Sequence, residues 1–230
     1  MTEGREQVLT AIRRALKRGP LEGEDRAALE RRTAEHPRGP VPSRAQLGPQ
    51  ETLDLFVQMA EEAAATTRRL QEWGEVPQAV LAYLKSRNEP AAVRIAPHPD
   101  LTGLDWQDGA PMLSVDQGRG EPDTNVGVSR AFAGVAETGT LLLYSRGESP
   151  TTLNFLPATH IVAVDAKEVV GGFEDAWDRL RAAIGGVENW PRTVNLITGP
   201  SRTADIEQTL QLGAHGPMNL HVLLIGDAGG

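Results

Sequence analysis

Apolar residues recur at three- and four-residue steps in two stretches near the N-terminus, which is the spacing of an amphipathic helix. The first stretch covers residues 3–17 and ends at a Gly-Pro pair. The second covers residues 51–73, with the stripe Leu53, Phe56, Val57, Ala60, Ala64, Thr67 and Leu70. A third helix is predicted to open at Pro77. Residues 19–49 contain five prolines and no sustained period, which predicts an extended or mobile segment.

The second half of the chain changes to short apolar runs, whose length and β-branched content predict buried strands. The runs are Ala91–Ala96, Met112–Val115, Thr140–Tyr144, Ile161–Val164, Thr193–Thr198 and Leu220–Ile225. Two stretches between the last three runs return to helical spacing, at residues 173–184 and 203–212. From residue 161 onward the chain alternates strand, helix, strand, helix, strand. This alternation predicts an α/β fold with a mainly parallel sheet flanked by helices.

The change of pattern near residue 50 predicts two parts. A length of 230 residues suits one large domain with an appendage. We therefore predict an N-terminal helical and extended arm over residues 1–50 and an α/β domain over residues 51–230. The charge divides in the same way, because the arm carries +3 and the domain −11 of a total of −8. The arm is interpreted either as docking on an acidic surface or as a solvated leader.

Composition disfavours several classes of protein. The net charge of −8 and an aromatic content of 4% disfavour nucleic-acid binding. No apolar run reaches the roughly 18–20 residues that a membrane span needs. The first residues also lack the basic and hydrophobic segments of a secretory signal. We therefore expect a cytoplasmic protein with no membrane span and no nucleic-acid partner.

Thiol and metal chemistry are limited by the same composition. The chain has no cysteine, which excludes disulfides, a thiolate nucleophile and an iron–sulfur cluster held by its own thiolates. The histidines outside the candidate segments below form no pair at i,i+4 and share no loop, so no metal site is predicted. They are His36, His98, His160 and His221. His160 is interpreted as a loop anchor, with the lining of a cleft as the alternative.

The first candidate binding segment is GPSRTADIE, which lies between a predicted strand and the predicted helix at residues 203–212. Its glycine and polar positions are Gly199, Ser201, Arg202, Thr203, Asp205 and Glu207. In open parallel sheets, ligands bind where loops leave the carboxyl ends of strands and enter helix N-termini. The glycine permits close approach, and the guanidinium suits a carboxylate or phosphate. The segment therefore predicts an anion site, unless its hydroxyls only cap the helix and Arg202 pairs with a surface acid.

The second candidate segment is AETGTL, directly before a predicted strand. It contributes Glu137, Thr138, Gly139 and Thr140. A carboxylate, two hydroxyls and a glycine at a strand start are able to recognise a polar ligand, and a buried Glu137 is a candidate general acid or base. The alternative is a β-bulge or tight turn in which the threonine hydroxyls satisfy backbone groups.

The third candidate segment is GAHGP, residues 213–217, directly after the predicted helix at residues 203–212. His215, with Gly216 beside it, is a candidate proton shuttle or anion contact. A glycine-rich helix exit followed by proline is also the ordinary end of a helix. The residues of this segment alone therefore leave both interpretations open.

Taken together, AETGTLLL, LNFLPATHIVAV and ITGPSRTADIEQTLQLGAHGPMNLHVLLI resemble the lactate-utilization (LUD) domain family. The similarity runs over about residues 93–225, and the pairing of GPSRTADIE with GAHGP is highly specific. The resemblance implies an α/β fold of the NagB/RpiA/CoA-transferase-like type with a ligand cleft at the motif positions. These positions are Thr138, Gly139, Thr140, Gly199, Ser201, Arg202, Thr203, Asp205, His215 and Gly216. No catalytic residue follows from the resemblance, and Glu137 remains the candidate.

The resemblance also implies a part in the oxidation of L-lactate to pyruvate. Within the family, the chain is most similar to the short subunit of a bacterial three-component system, in which a related subunit carries cysteines for iron–sulfur clusters. Because this chain has no cysteine, the resemblance implies an accessory, cluster-free subunit. Such a subunit would bind a small anionic metabolite and no cofactor of its own, with the iron–sulfur clusters held by its partner subunits.

Two other functions are open at this point. The first is a stand-alone enzyme acting on a small carboxylate, acyl-CoA or sugar phosphate on a CoA-transferase- or isomerase-like fold. Glu137 would then be a general base or nucleophile and Arg202 an anion clamp. The second is a ligand-sensing or scaffold protein without catalysis.

Overall fold

The computed structural model describes residues 3–17, 19, 21–204, 210–212 and 215–227. The chain divides into two compact units, an N-terminal unit (Met1–Pro40) and a main unit (Val41–Gly230). The predicted boundary at residue 50 falls at the start of the first α-helix of the main unit. Within the described ranges, no helix has the length and apolar character required to cross a membrane.

The α-helices of the described residues are α1 (Glu3–Ala15), α2 (Gly23–Glu35), α3 (Pro49–Glu62), α4 (Val76–Ser86), α5 (Pro99–Thr102), α6 (Trp106–Gly109), α7 (Thr152–Phe155) and α8 (Phe173–Ile184). The strands are β1 (Thr66–Leu70), β2 (Ala92–Ile95), β3 (Ser114–Gln117), β4 (Val126–Arg130), β5 (Ala133–Val135), β6 (Thr140–Tyr144), β7 (Thr159–Asp165), β8 (Val169–Val170), β9 (Val194–Ile197), β10 (Arg202–Ala204), β11 (Leu210–Leu212) and β12 (Asn219–Ile225). Short 3-10 helices cover Ser43–Ala45, Trp73–Glu75, Ala166–Glu168 and Val187–Asn189.

The N-terminal unit contains two helices where the sequence predicts one. α1 confirms the first predicted helix, and its apolar residues Val8 and Ile12 are exposed, as is Leu16 directly after it. α2 contradicts the prediction of an extended segment over residues 19–49. Its sequence, GEDRAALERRTAE, is rich in strong helix formers and poor in apolar residues. Intrinsic propensity therefore accounts for α2, and a search for hydrophobic periodicity does not detect it.

α3 is shorter than the helix predicted over residues 51–73. The chain turns after the helix, where Ala64 has a φ of 65°, and the residues that follow form β1. β1 pairs in parallel with β12, and Leu70 at its end is buried in the core. The helical spacing that joins Thr67 and Leu70 to the stripe of α3 is therefore a coincidence, and the prediction is wrong beyond α3.

Six strands form a parallel sheet in the order β1-β12-β7-β4-β2-β3. The near-continuous apolar runs of β7 and β12 are buried on both faces of this sheet, as is usual in parallel sheets. One face packs against α4, α5, α6 and α7, and the other packs against α3 and β6. Each of the six predicted apolar runs overlaps a strand. The prediction of an α/β fold with a parallel sheet flanked by helices is confirmed.

A second sheet has the order β8-β5-β6-β9, in which β6 is antiparallel to both of its neighbours. The predicted strand Thr193–Thr198 is found in β9, but β9 pairs with β6 and not with the parallel sheet. β9 is a half-exposed edge strand, unlike the fully buried β7 and β12. Of the strands from residue 161 onward, β7 and β12 belong to the parallel sheet. Between them in sequence, the chain forms β8 and β9 of the second sheet.

The helix predicted over residues 203–212 is wrong. Residues 202–204 and 210–212 form the antiparallel pair β10 and β11, with Arg202 opposite Leu212. The prediction rested on the helical spacing of Ile206 and Leu210, and a single i,i+4 pair is too short a pattern to distinguish a helix from strands. Asp205, Ile206 and Glu207 lie outside the described residues.

Candidate functional site

A cavity of about 260 Å³ lies between the amino ends of β7 and β12 and the carboxyl end of β9. It brings together five residues of the predicted site, namely Gly199, Ser201, Arg202, His215 and Gly216. The two motifs GPSR and HGP therefore meet in space. The cavity lies at the amino ends of the parallel strands, so the expected position beyond their carboxyl ends is wrong for this site. The reason is that the first motif follows β9, which belongs to the second sheet.

The loop after β9 is held against the C-terminal end of α3. Gly199 has a φ of 72°, and a Cβ atom at this position would lie 2.1 Å from the carbonyl oxygen of Ala63. Only glycine fits such a conformation and such a close approach. The amide of Ser201 donates to the carbonyl of Pro217 at 2.8 Å, which ties this loop to the segment that enters β12.

Arg202 lines the cavity and also contacts the end of α3. Its Nη2 atom donates to the carbonyl oxygen of Ala63 at 2.9 Å, and the residue is exposed. A cation is stabilised at a helix C-terminus, where the carbonyl groups point outward. The bond uses one of the five N–H donors of a guanidinium. Arg202 therefore supports the loop, and it also places positive charge at the cavity.

The floor of the cavity contains two buried polar side chains, Asn154 in α7 and His160 in β7. The exposed fraction is 2% for Asn154 and 0% for His160. Within the described part of the chain, neither ring nitrogen of His160 has a hydrogen-bond partner. The Oδ1 atom of Asn154 has none there either. Buried polar atoms are nearly always paired, so unpaired atoms in two side chains that line a cavity make it a candidate ligand site.

Burial keeps His160 neutral at physiological pH. Loss of hydration lowers the pKa of His160 to about 3, from an ordinary value of 6.5. A neutral imidazole carries one N–H donor and one acceptor nitrogen. The cavity floor therefore offers hydrogen bonds without a fixed charge, and the positive charge of the site comes from Arg202 at its wall.

Sequence reasoning interpreted His160 as a loop anchor, with the lining of a cleft as the alternative, and did not consider Asn154. Both residues lie in LNFLPATH, one of the motifs that carried the family resemblance. A signal was present, because His160 shares strand periodicity with Val162 and Val164, which are buried core residues. A histidine at an inward position of an apolar strand requires either a partner or a ligand.

Three threonine hydroxyls connect the second candidate segment to the cavity. The hydroxyls of Thr138 and Thr140 share a hydrogen bond of 2.7 Å, and those of Thr140 and Thr198 share one of 2.6 Å. Of the three, Thr198 lines the cavity. Gly139, with a φ of 64°, packs against α3, where a Cβ atom would lie 2.2 Å from the amide nitrogen of Ala60. The AETGT segment is thus placed behind the cavity wall.

Glu137 does not line the cavity. Its carboxylate accepts a hydrogen bond of 3.0 Å from the amide of Phe173, the first residue of α8, and the side chain is almost fully buried. Its own amide donates to the carbonyl of Gly171. A carboxylate is stabilised at the positive end of a helix, so this geometry is that of a helix-capping residue. Of the other predicted residues, Thr203 lies in β10, and Asp205 is outside the described residues.

An ion-pair cluster lies at the carboxyl ends of the parallel strands. Arg130 at the end of β4 contacts the carboxylates of Asp100 and Glu168, each at 2.7 Å, and its guanidinium lies 5.7 Å from the ring centre of Trp73. These partners come from the loops after three other strands of the same sheet. Among the residues that the structure describes, no group of three or more His, Asp or Glu side chains is placed to hold a metal ion.

Comparisons with known proteins agree with this architecture. The family model of the LUD domain matches residues 53–225. Lactate utilization protein C of Macrococcus caseolyticus is 38% identical over 103 residues, which cover 45% of each chain. Lactate utilization protein C of Bacillus subtilis is 34% identical over 134 residues, which cover 55% of this chain and 56% of that protein. The chain spans about half the length of the curated relatives it matches.

A solved structure shares the fold. The crystal structure of a DUF162 family protein from Deinococcus radiodurans superposes with a TM-score of 0.57 at 22% sequence identity. The superposition covers 78% of this chain and 99% of that chain. The similarity shows the common fold, and at this identity it transfers neither a ligand nor an activity.

Proposed function

The chain belongs to the LUD domain family, and we propose that it takes part in lactate utilization as a cluster-free subunit that binds a small carboxylate. The relatives named lactate utilization protein C support a part in lactate utilization. The absence of cysteine supports the division of roles, because a chain without thiolates leaves iron–sulfur clusters to its partners. In this proposal the partner subunits carry the electrons released by L-lactate oxidation, and this chain contributes a carboxylate site without a cofactor of its own.

The observation that carries the carboxylate site is the set of unpaired buried atoms in two side chains that line the cavity: both ring nitrogens of His160 and the Oδ1 atom of Asn154. An unpaired polar group in the interior lowers the stability of a folded protein. A ligand that completes the missing hydrogen bonds removes this cost. The neutral imidazole provides an N–H donor for a carboxylate oxygen at physiological pH.

The size and charge of the cavity favour a small anion. A volume of about 260 Å³ lies below the range of roughly 300–1,000 Å³ that is typical of pockets for drug-sized molecules. Arg202 offers a charge-assisted hydrogen bond to a carboxylate, and His215 lies on the same wall. The stand-alone enzyme hypothesis receives no support from Glu137, because its carboxylate binds the N-terminus of α8.

Calorimetric titration of the full chain with L-lactate, pyruvate and inorganic phosphate tests the carboxylate site. We expect saturable binding of at least one of the two carboxylates, and weaker binding of phosphate. The proposal is wrong if neither carboxylate binds. Arg202→Ala removes the cation of the cavity wall and should weaken this binding. Arg192→Ala is its control variant, because Arg192 is exposed and precedes β9, outside the cavity lining.

Co-expression tests the subunit role separately. The chain is expressed with the cluster-bearing lactate-utilization proteins of the same organism, and one of these partners carries an affinity tag. We expect the chain to be retained with the tagged partner in a fixed ratio through size-exclusion chromatography. A chain that always elutes alone contradicts the subunit role and leaves the carboxylate site unaffected.

A further inference from the structure

We propose that α1 is a self-association surface, on which the α1 helix of a second copy of the chain docks in the antiparallel direction. The apolar residues at the contact form a stripe at helical spacing, which consists of Val8, Leu9, Ile12 and Leu16. Leu16 continues the stripe beyond the last residue of α1, because its amide donates to the carbonyl of Ile12 at 2.9 Å. The inference concerns the N-terminal unit alone and is independent of the function proposed for the cavity.

The stripe is not covered by any part of the chain that the structure describes. The exposed fraction is 59% for Val8, 48% for Ile12 and 58% for Leu16, and no residue of α1 is buried. A helix of 13 residues is marginal in water, and helices of this length gain most of their stability from the packing of an apolar face. A contiguous exposed apolar face of this kind therefore indicates a docking surface.

The charge of the N-terminal unit favours a second copy over a strongly charged partner. Residues 1–40 contain nine basic and seven acidic residues, which is a net charge of +2, whereas the main unit carries −10. Anionic lipid surfaces and nucleic acids attract segments with a large excess of basic residues, and here the excess is small. Two copies of the acidic main unit repel each other, so a contact between copies is more favourable through the nearly neutral unit.

The charges along α1 fix the direction of pairing. Glu3 and Glu6 lie in the first turn, and Arg13 and Arg14 lie in the last turn. Glu6 and Arg13 are two helical turns apart, so they flank the stripe on the same edge. In an antiparallel pair with a twofold axis, this edge of one helix meets the same edge of the other, which places Glu6 of each copy opposite Arg13 of the other. A parallel pair would bring the like-charged ends together.

The apolar residues fit the same register. When Glu6 lies opposite Arg13 of the second copy, the twofold axis passes between residues 9 and 10. Val8 then lies within one residue of the position opposite Ile12, and Leu9 lies beside its own counterpart at the axis. The apolar contacts and the ion pairs therefore favour one arrangement, an apolar seam with charges at its edge.

Sedimentation velocity of the full chain at increasing concentration tests the contact. We expect a monomer–dimer equilibrium, and Ile12→Asp should weaken it about tenfold or more, because it places a carboxylate in the apolar seam. Met112→Asp is the control, because Met112 is 73% exposed and lies between α6 and β3 in the main unit. A chain that stays monomeric at every concentration overturns the proposal, and so does a dimer that Ile12→Asp leaves unchanged.

Exchange of charges tests the pairing of Glu6 with Arg13. Glu6→Arg and Arg13→Glu should each weaken dimerisation, because each places like charges opposite one another. The variant that carries both substitutions should dimerise as the unmodified chain does, since the two charges have only changed places. If the double variant is weaker than either single variant, the antiparallel pairing is wrong.

Cross-linking tests the direction independently, because the chain contains no cysteine of its own. Leu9→Cys should form a disulfide between two copies under mild oxidation, since residue 9 lies beside the axis. Leu16→Cys should not, because its two copies lie roughly 20 Å apart along an antiparallel pair at a rise of about 1.5 Å per residue, beyond the reach of a disulfide. Equal cross-linking of both variants indicates a parallel pair and overturns the proposed geometry.

Discussion

His160 and His221 lie one register step apart on neighbouring parallel strands and face opposite sides of the same sheet. His160 in β7 pairs with Leu220 of β12, and His221 is the next residue along β12. His160 faces the cavity, whereas the ring of His221 stacks on Tyr83 at 4.0 Å, and its Nδ1 atom bonds to the hydroxyl of Thr66 at 2.8 Å. The two buried histidines thus differ in their surroundings, because His160 lines the cavity and His221 packs against Tyr83 in the core.

Replacing each histidine by leucine should separate binding from stability. His160→Leu removes two unpaired buried nitrogens, so we expect the free energy of unfolding to rise or to stay within about 1 kcal/mol, while L-lactate binding is lost. His221→Leu removes the Thr66 bond and the ring stacking, so we expect a loss of roughly 1–2 kcal/mol and unchanged binding. Denaturant melts and calorimetry measure both effects. If His221→Leu loses L-lactate binding and His160→Leu keeps it, the assignment of the binding role to His160 is wrong.

The same two residues predict how stability depends on pH. Burial lowers the pKa of His160 to about 3 and that of His221 to about 4, below the value of about 6.5 in an unfolded chain. The unfolded state therefore binds more protons than the folded state in this window, and stability falls as the pH drops from about 6.5 toward 4. Each histidine contributes up to about 1.4 kcal/mol per pH unit.

Chemical denaturation between pH 7 and pH 5 measures this dependence. We expect His160→Leu to lose stability less steeply than the unmodified protein, by the contribution of one histidine. His221→Leu should show a similar reduction, since both rings are neutral when folded. Parallel stability curves for the unmodified protein and both variants would show that neither histidine titrates between the folded and unfolded states as described.

Arg202→Ala should weaken the binding of any carboxylate in the cavity. The guanidinium lies on the cavity wall, and a charge-assisted hydrogen bond contributes about 1.5–3 kcal/mol, which corresponds to a loss of roughly tenfold to a hundredfold in affinity. Arg192→Ala removes an exposed arginine at the other end of β9 and should leave affinity unchanged. If Arg202→Ala binds carboxylates with unaltered affinity, Arg202 has only the structural role of donating to the carbonyl of Ala63.

The sequence predicted the strands that are long, apolar and β-branched, because these properties are local. It missed β5 (AGV) and β8 (VV), which are too short to show a period, and β4 (VGVSR), which has only two bulky apolar residues. It also took residues 203–212 for a helix, because a single i,i+4 pair is too short a pattern to distinguish a helix from strands. The positions of the long apolar strands were therefore predictable from the sequence. The sheet to which each strand belongs was not, because it depends on pairing between distant segments.

The candidate site was predicted in part for a similar reason. Glycine at 199 and the residues near it are marked by unusual local composition, and they do reach the cavity. The role proposed for Asn154 and His160 rests on the lack of partners of their buried polar atoms, which is a property of the folded core. Glu137 shows the reverse case, because its residue type suggested chemistry and its contact is with the start of a helix.

Glu137→Gln should lower stability without changing ligand affinity. The substitution keeps the shape of the side chain and removes the negative charge at the N-terminus of α8, which we expect to cost about 0.5–1 kcal/mol. Thermal melts measure the loss, and titration with L-lactate checks the affinity. If Glu137→Gln keeps its stability but abolishes L-lactate oxidation in a system reconstituted with the partner subunits, Glu137 has a catalytic role and the capping assignment is wrong.

Arg130→Ala should be the most destabilising of these changes, because it leaves two carboxylates without their cation. The arginine side chain is 11% exposed, and removal of one member of a buried ion pair costs about 3–5 kcal/mol. We expect about 3 kcal/mol, at the lower end, because the Asp100 side chain is 41% exposed.

A variant that also carries Asp100→Asn and Glu168→Gln should recover part of this stability, since the uncompensated charges are gone. Urea denaturation of the single and triple variants measures the difference. The cluster lies at the carboxyl ends of the parallel strands, where open α/β sheets usually bind ligands. If the triple variant folds and binds L-lactate with unchanged affinity, the cluster is structural and the ligand binds at the opposite end of the sheet. Loss of binding in a folded triple variant would instead place the ligand beside Arg130 and contradict the site proposed around His160.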